Sequence, residues 1–349
     1  MASTATGPFD FSHSLQFVSI NQRLLGGSNL HKLNQTLQAL TKLVLVLLGA
    51  TFLLSLIVRL LPGSPADFYI NALDEEGRLA QIKDLGLDRN VFSGYLHWLF
   101  DFVRGDFGPF FMSGGDTRPT SLIISEAVPR SLLIMLYVQI VSLAISIPLG
   151  LITAYRADKA TDRIISTALF TGSAIPGFAL ALALGYYLGV KVQIFPTIGY
   201  VPISEGIGEH FRHLALPVIS LSVPLCASYA RILRTEIIAT LRQDFVTMAV
   251  SKGISNSRVL VKHVLRPSST ALITTASLNM GGLIGGTVII DQIFALGGMG
   301  QQITFAVFAR QYIALQSYIA LIAVAFILFT VLADLLIGVV DPRTKNRNV

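Results

Sequence analysis

The stretch Leu132–Tyr155 reads LLIMLYVQIVSLAISIPLGLITAY and contains no Asp, Glu, Lys or Arg. A helix crosses the hydrocarbon of a bilayer with about 20 mostly apolar residues, and this run supplies them without interruption. Tyr318–Ala333 is equally free of charge. Of the 349 residues, 52% are hydrophobic and 13% charged, where a soluble domain carries about 25% charged residues. A large soluble core raises the apolar share but does not call for uncharged runs of this length. The sequence predicts an all-α polytopic membrane protein.

Six transmembrane helices follow from the same criterion. They are Leu43–Leu61, Leu132–Tyr155, Ile164–Val190, Leu214–Leu233, Ser269–Phe294 and Tyr318–Val340. Arg59 and Arg231 sit at span edges, where a long cationic side chain can reach the interface. Pro148, Pro176, Pro217 and Pro224 lie in or near spans and are expected at kinks, which neighbouring helices make tolerable.

Orientation follows from the basic residues in short connections. The second-to-third connection holds Arg156, Lys159 and Arg163. The fourth-to-fifth, residues 234–268, holds Arg234, Arg242, Lys252, Arg258, Lys262 and Arg266, with Arg231 just before it. The third-to-fourth has only Lys191 and Arg212, and the fifth-to-sixth only Arg310. Both basic loops, the N-terminal segment 1–42 and the tail 341–349 are therefore expected in the cytoplasm. The formal charge of +6 reads as a topology signal, with no nucleic-acid site implied. Residues 1–40 lack the short apolar core and cleavage site of a signal peptide.

Residues 62–130 fall outside and are acidic, with ten Asp/Glu against six Lys/Arg. Within them Tyr95, Trp98, Leu99 and Phe102 recur at helical spacing, so a small helical extracytoplasmic insert is expected between helices 1 and 2. Residues 131–340 make up the transmembrane core, helices 2 to 6 with the loop 234–268.

The most informative loop is Gln243–Pro267, QDFVTMAVSKGISNSRVLVKHVLRP. Asp244 suits a helix N-cap, and Phe245, Met248, Ala249 and Lys252 follow at helical spacing. Gly253 can take the left-handed conformation that ends a helix. Ser255 or Ser257 can cap a second helix rising through Val259–Leu265. A short amphipathic helix in such a loop either rests on lipid or on its own protein, or lies in a groove of a partner.

This loop resembles the coupling loop of ABC-transporter import permeases, whose pattern is Glu-Ala-Ala-x-x-x-Gly with a Pro further on. Thr247, Met248 and Ala249 stand at the first three positions, followed by Gly253 and Pro267; the acidic residue is absent. The closer resemblance is to the dipeptide/oligopeptide/nickel branch. It rests on Asp244-Phe245, on Ala249-Val250-Ser251-Lys252-Gly253, and on Arg258-Val259-Leu260 with His263.

Other stretches resemble the same branch in the same order: Arg59–Pro65, Leu85-Gly86-Leu87-Asp88, Gly105-Asp106-Phe107-Gly108, Ile147-Pro148-Leu149-Gly150 and Ile175-Pro176-Gly177-Phe178. Asp291-Gln292-Ile293-Phe294 with Gly298-Met299-Gly300, and Asp341-Pro342-Arg343, complete the series. In layout the chain looks like the first of the two permease subunits.

The resemblance implies a prokaryotic cell membrane location and four kinds of partner: a second permease subunit, two cytoplasmic ATPase subunits, an extracytoplasmic substrate-binding protein and membrane lipid. ATP and Mg would sit on the ATPases. The chain itself has no G-x-x-x-x-G-K-[ST] phosphate loop and no Gly-Lys pair, so no cofactor and no catalysis are expected in it. Asp244, Phe245, Thr247, Met248, Ala249, Lys252 and Gly253 are the expected ATPase-coupling residues.

Gly281, Gly282, Gly285 and Gly286 provide small residues for close helix approach or for an open passage, to which Asn279 and Gln292 could offer hydrogen bonds. Asp291 and Asp334 are the acids closest to the membrane interior. The branch carries dipeptides, longer peptides, nickel chelates and some sugars. A proton-driven carrier would want paired ionisable groups at mid-membrane and matched halves, and the spans offer neither. A metalloprotease would show His-Glu-x-x-His, which is absent. His210 and His213 could form a metal pair but read better as interfacial histidines. Cys226, alone, reads as a small buried hydrophobe.

Overall fold

The computed structural model describes residues 41, 44–57, 75–84, 88–112 and 117–340. Residues 1–40, Arg59–Pro65, Leu85–Leu87, the tail 341–349 and the side chain of Asp334, all singled out above, lie outside the described residues. The chain divides into two units, Met1–Leu53 and Leu54–Val349.

The helices in chain order begin with α1 (Val44–Ile57), α2 (Glu75–Asp84) and α3 (Val91–Val103). A hairpin of β1 (Pro109–Phe111) and β2 (Thr117–Pro119) leads into α4 (Thr120–Tyr155). Next come α5 (Ala160–Ala174), α6 (Gly177–Leu184) and α7 (Ile207–Leu241). The short α8 (Asp244–Ser251) and α9 (Asn256–Arg258) precede α10 (Leu265–Gly286) and α11 (Val288–Phe294). Last are α12 (Met299–Phe308) and α13 (Tyr312–Val340).

Three helices, α4, α7 and the Tyr312–Leu332 part of α13, are each long and apolar enough to cross a membrane. Two bent pairs bring this to five when each pair counts as one span; α1 is apolar but shorter. The span expected at Leu132 begins at Thr120 instead. Its polar first turns carry the i,i+4 pair Glu126–Arg130, and at 36 residues the helix runs for about 54 Å, longer than the bilayer is thick. A charge ends an uncharged run without ending a helix, and here the helix extends through Glu126 and Arg130.

Pro176 breaks the expected third span outright. Ile175 before it is extended, φ −82° and ψ 121°, because a proline ring disfavours helical geometry in the preceding residue. The helices α5 and α6 meet at 93°. Pro148, Pro217 and Pro224 stay inside continuous helices.

The core sits where α4 and α7 cross. Ile134, Met135 and Val138 pack there with Leu214, Leu216, Val218, Ile290 and Phe294. Gly150 permits the close approach lower down, since a Cβ on it would lie 3.1 Å from the Ala230 carbonyl and from Leu233.

The aromatic spacing of residues 95–102 does form a helix. Asn90 caps α3, its side chain accepting from the Ser93 N–H at 2.8 Å. Tyr95 and Trp98 are buried against Ala320 and Ile313, and Trp98 Nε1 donates to Ser317 Oγ at 3.1 Å. The hairpin is held in the same region. Gln311 acts like a strand neighbour of β1, accepting from the Phe111 N–H at 3.0 Å and donating to the Phe111 carbonyl at 2.7 Å.

Candidate functional site

The loop between α7 and α10 carries the first group of expected residues. Helix α8 starts one residue earlier than a cap at Asp244 requires: Gln243 occupies the N-cap, without a side-chain cap bond, and Asp244 lies in the first turn. A carboxylate there still complements the positive end of the helix. The far end is a Schellman turn. Gly253, at φ +78°, donates to the Val250 carbonyl at 2.9 Å, and Ile254 donates to Ala249 at 3.3 Å. No side chain would crowd a Cβ at Gly253, so glycine is needed there for its backbone angle alone.

The helix has two apolar faces. Val246 is buried, and with the half-buried Ala249 and Ile254 it packs into a cluster of Tyr229, Leu233, Ile237, Val259 and Val264 at the ends of α7 and α10. Phe245 and Met248 point away from that cluster and are 38% and 58% exposed. Thr247, Lys252 and Gly253 are exposed as well. The helical spacing of Phe245, Met248 and Ala249 thus divides, Ala249 turning inward beside Val246 while Phe245 and Met248 stay outside.

Beyond Gly253 the chain re-enters helix with Ser255 at the N-cap of α9. It then passes a π-helical turn at Val259–Val264 into α10. The loop helix is thus tied through a short connection to a span.

The second group clusters around the junction of α11 and α12. Asp291 is 2% exposed. Its Oδ1 accepts from the Gly298 N–H at 3.1 Å, and its Oδ2 from the Gln301 N–H at 2.9 Å. Gly298 is the N-cap of α12 and has no side chain to cap with; Asp291 performs that task from the preceding helix. Ser131 Oγ accepts from the Met299 N–H at 2.8 Å. Gln301 reaches back to the Gly297 N–H at 2.9 Å, in the manner of a capping box. A Cβ on Gly298 would lie 2.7 Å from both Asp291 Oδ2 and Ser131 Oγ. Glycine at that place in the Gly298-Met299-Gly300 motif leaves the carboxylate room to reach the helix end. Gln292, the next residue, is exposed.

Asn279 is half-buried and belongs to a polar group inside the helix pack. Tyr229 donates to Gln139 Oε1 at 3.2 Å, Gln139 Nε2 donates to the Ala276 carbonyl at 3.4 Å, and Asn279 hydrogen-bonds Tyr229. The group joins α4, α7 and α10. The glycines of α10 differ in surroundings. A Cβ on Gly281 would overlap the Phe326 ring of α13, whereas one on Gly282 would meet nothing within 4 Å. Gly285 and Gly286 continue the helix.

His210 and His213 are engaged separately. His210 Nδ1 donates to the Val201 carbonyl at 2.6 Å, which leaves Nε2 to accept from the Tyr137 hydroxyl at 3.1 Å. His213 Nδ1 donates to the Gly199 carbonyl at 3.1 Å. Among the described residues no cluster of three or more His, Cys, Asp or Glu could hold a metal.

One ion pair escaped the sequence reading. Arg234, near the end of α7, grips Asp162 in the first turn of α5. The sequence marks Arg234 only as a loop charge and gives Asp162 no role, and 72 positions separate them.

Helices long and apolar enough to cross a membrane and a loop helix with an exposed apolar pair describe a membrane protein with a surface left over for a partner. The sequence comparisons give the family. Residues 146–346 match the binding-protein-dependent transport system inner membrane component, and the chain belongs to this family as a permease subunit of an ABC importer. It is 34% identical to the oligopeptide transport system permease AppB of Bacillus subtilis over 86% of this chain and 95% of that one. It is 28% identical to a probable peptide ABC transporter permease of Sinorhizobium fredii, over 88% and 98% respectively. Its fold is similar to the MetNI methionine ABC transporter in an inward-facing conformation, at a TM-score of 0.52 and 16% identity. That match covers 63% of this chain and 97% of the other.

Proposed function

We propose that this chain forms half of the membrane pathway of an ATP-driven importer of di- or oligopeptides, driven through α8. The observation that carries the reading is the two-faced loop helix. Val246 fixes it to the ends of two spans, and Phe245 and Met248 are left outward as an apolar pair one helical turn apart. A groove on an ATPase subunit that accepts Phe245 and Met248 could move α7 and α10 together. Asp244, Thr247, Lys252 and Gly253 border the same contact.

In this reading six spans cross the membrane, α1 included, with both termini and the α8 loop in the cytoplasm and residues 62–130 outside. The second permease, two ATPases bearing ATP and Mg, and a substrate-binding protein complete the machine. Peptide as cargo is supported by the relatives named for peptide transport; a nickel chelate or other small solute is the alternative within the branch. Gly282, Gln292 and the backbone around Gly285 and Gly286 are the proposed pathway or interface positions. Asp291, fully engaged as a helix cap, contributes by shaping the α11–α12 junction, which leaves little for a proton-driven carrier to use.

The test is Phe245→Glu and Met248→Glu in the assembled complex. Uptake of labelled peptide should fall to background while the ATPase subunits still bind ATP. Normal assembly and normal uptake in both variants would refute the coupling role. Uptake that follows the proton gradient and ignores ATP would overturn the importer mechanism itself.

A further inference from the structure

A cleft runs along the α4–α7 pair on the side where α5 lies. It consists of two adjoining cavities of about 250 and 240 Å³ that share Leu169 and Ala227 as lining. One is apolar, walled by residues such as Val141, Ile145 and Val223. The other opens toward Thr153, Ser166, Arg231 and Arg234. Small residues keep the cleft open: Gly172 faces Val223, whose methyl would sit 3.2 Å from an added Cβ.

Its dimensions match one half of a bilayer. From Val141 to Thr153 the α4 wall runs about 18 Å at 1.5 Å per residue, and one leaflet of a hydrocarbon core about 30 Å thick is about 15 Å deep. The charge is confined to one end. Arg234 there is committed to Asp162, but Arg231 is exposed and its guanidinium makes no hydrogen bond or ion pair among the described residues. Arg156, Lys159 and Arg163 on the adjoining turn are exposed too, so the mouth keeps an excess of positive charge beside Asp158 and Asp162.

We propose that this cleft is a binding site for an anionic phospholipid of the cytoplasmic leaflet. One acyl chain lies against Val141, Ile145 and Leu169, and the phosphate is held by Arg231. A neutral apolar slot would take any acyl chain; a free guanidinium at its cytoplasmic mouth selects the negatively charged headgroups of that leaflet. The site lies beside the Asp162–Arg234 pair and on α7, which leads directly into α8. An occupied cleft therefore braces the helix that carries the coupling loop. The proposal rests on the orientation given above, in which the α4–α5 turn is cytoplasmic.

The experiment uses the complete importer in phosphatidylcholine nanodiscs containing a minor fraction of a photoactivatable phospholipid. The diazirine sits mid-chain, and the headgroup is either phosphatidylglycerol or phosphatidylcholine. Peptides containing Leu169 and Ala227 should be labelled severalfold more by the phosphatidylglycerol probe. Arg231→Gln should bring that labelling down to the phosphatidylcholine level. Ala227→Leu should remove labelling by both probes; if that variant does not assemble, Leu169→Phe fills the same junction from its more exposed side.

Equal labelling by the two probes that is indifferent to Arg231→Gln overturns the proposal. So does exclusive crosslinking of these peptides to the second permease, because a protein helix then covers the cleft. Orientation is read independently from Arg231→Cys in a Cys226→Ser background, by reagent accessibility in intact cells against inside-out vesicles. The coupling role is read from ATPase co-purification, so its failure and the failure of the lipid site are told apart.

Discussion

Arg234 holds Asp162 in a two-pronged ion pair, Nε to Oδ1 at 2.9 Å and Nη2 to Oδ2 at 2.6 Å. The remaining capacity of the carboxylate is filled by the Asp158 N–H and the Ser166 hydroxyl, each at 3.0 Å. Asp162 is 5% and Arg234 28% exposed, a geometry in which paired, planar hydrogen bonds are strong. It ties the start of α5 to the part of α7 just before the loop that carries α8.

This arrangement has a pH signature. The bonds from Arg234, foremost, and then those from Asp158 and Ser166 hold the Asp162 carboxyl down to about 2 against the opposing effect of burial. An unpaired Asp titrates near about 3.9. The stabilisation is therefore complete above about pH 4 and is lost as the pH falls through about 2, amounting to about 2 kcal/mol at neutral pH. Thermal unfolding of the solubilised complex should drop in this window for the parent protein. Asp162→Asn should be less stable at pH 7 and flatter across it.

Gly253 makes a sharper test of backbone geometry than of packing. A left-handed angle costs an L-residue about 1–2 kcal/mol, and no neighbour stands in the way of a side chain. Gly253→Ala should therefore weaken the end of α8 by roughly 1 kcal/mol and lower transport, while Gly253→Asn, which tolerates the angle, should do less harm. Transport rates normalised to assembled complex decide it; equal effects of Ala and Asn would point to packing.

Adjacent glycines of α10 should answer substitution in opposite ways. Gly281→Ala drives a methyl into the Phe326 ring, so expression and thermal stability should fall, by about 1–3 kcal/mol as for an overpacked core. Gly282→Ala should leave both unchanged. A bulkier Gly282→Phe should keep the fold and cut transport if that face borders the passage or the second permease, a split visible by comparing thermal stability with peptide uptake.

Asp291→Asn keeps the shape of the side chain and loses one acceptor. Either the Gly298 or the Gln301 N–H is then left without its partner, at a cost of about 1–3 kcal/mol. Asp291→Glu should be no better, because the Gly298 and Gln301 N–H groups stand at 3.1 and 2.9 Å from the oxygens of the shorter chain and an added methylene carries the carboxylate off that position. Protease sensitivity at residues 295–300 is the readout, and both variants should show it raised.

These residues also show which parts of the molecule were legible in the amino-acid order. The long apolar helices α4, α7 and α13 announced themselves because an uncharged run is a local property, and α3 did so because its aromatic residues recur at one turn's spacing. Gly253 was legible for the same reason, standing at the end of a periodic stretch. Asp244 was placed one position out, since an acid is favoured both at a helix cap and in the first turn. The Asp162–Arg234 pair gave no such signal. Arg234 looked like one more topological charge, and its partner lies 72 residues earlier. The Gln139–Tyr229–Asn279 group was hidden likewise, with each polar residue isolated in an apolar run and meeting the others only when three helices pack. Pro176 was seen as a kink, yet whether a proline bends or breaks a span depends on neighbours that the local sequence does not reveal.

Helix α8 spans only Asp244–Ser251, and isolated helices below about 12–15 residues are marginal in water. It owes its existence to Val246 and Ile254 finding Leu233, Ile237 and Val264 already assembled. Order of assembly follows from this. On the coupling role proposed above, the surface offered to an ATPase would come into being only after α7 and α10 have packed. Attachment of the motor would then report on the integrity of the membrane part.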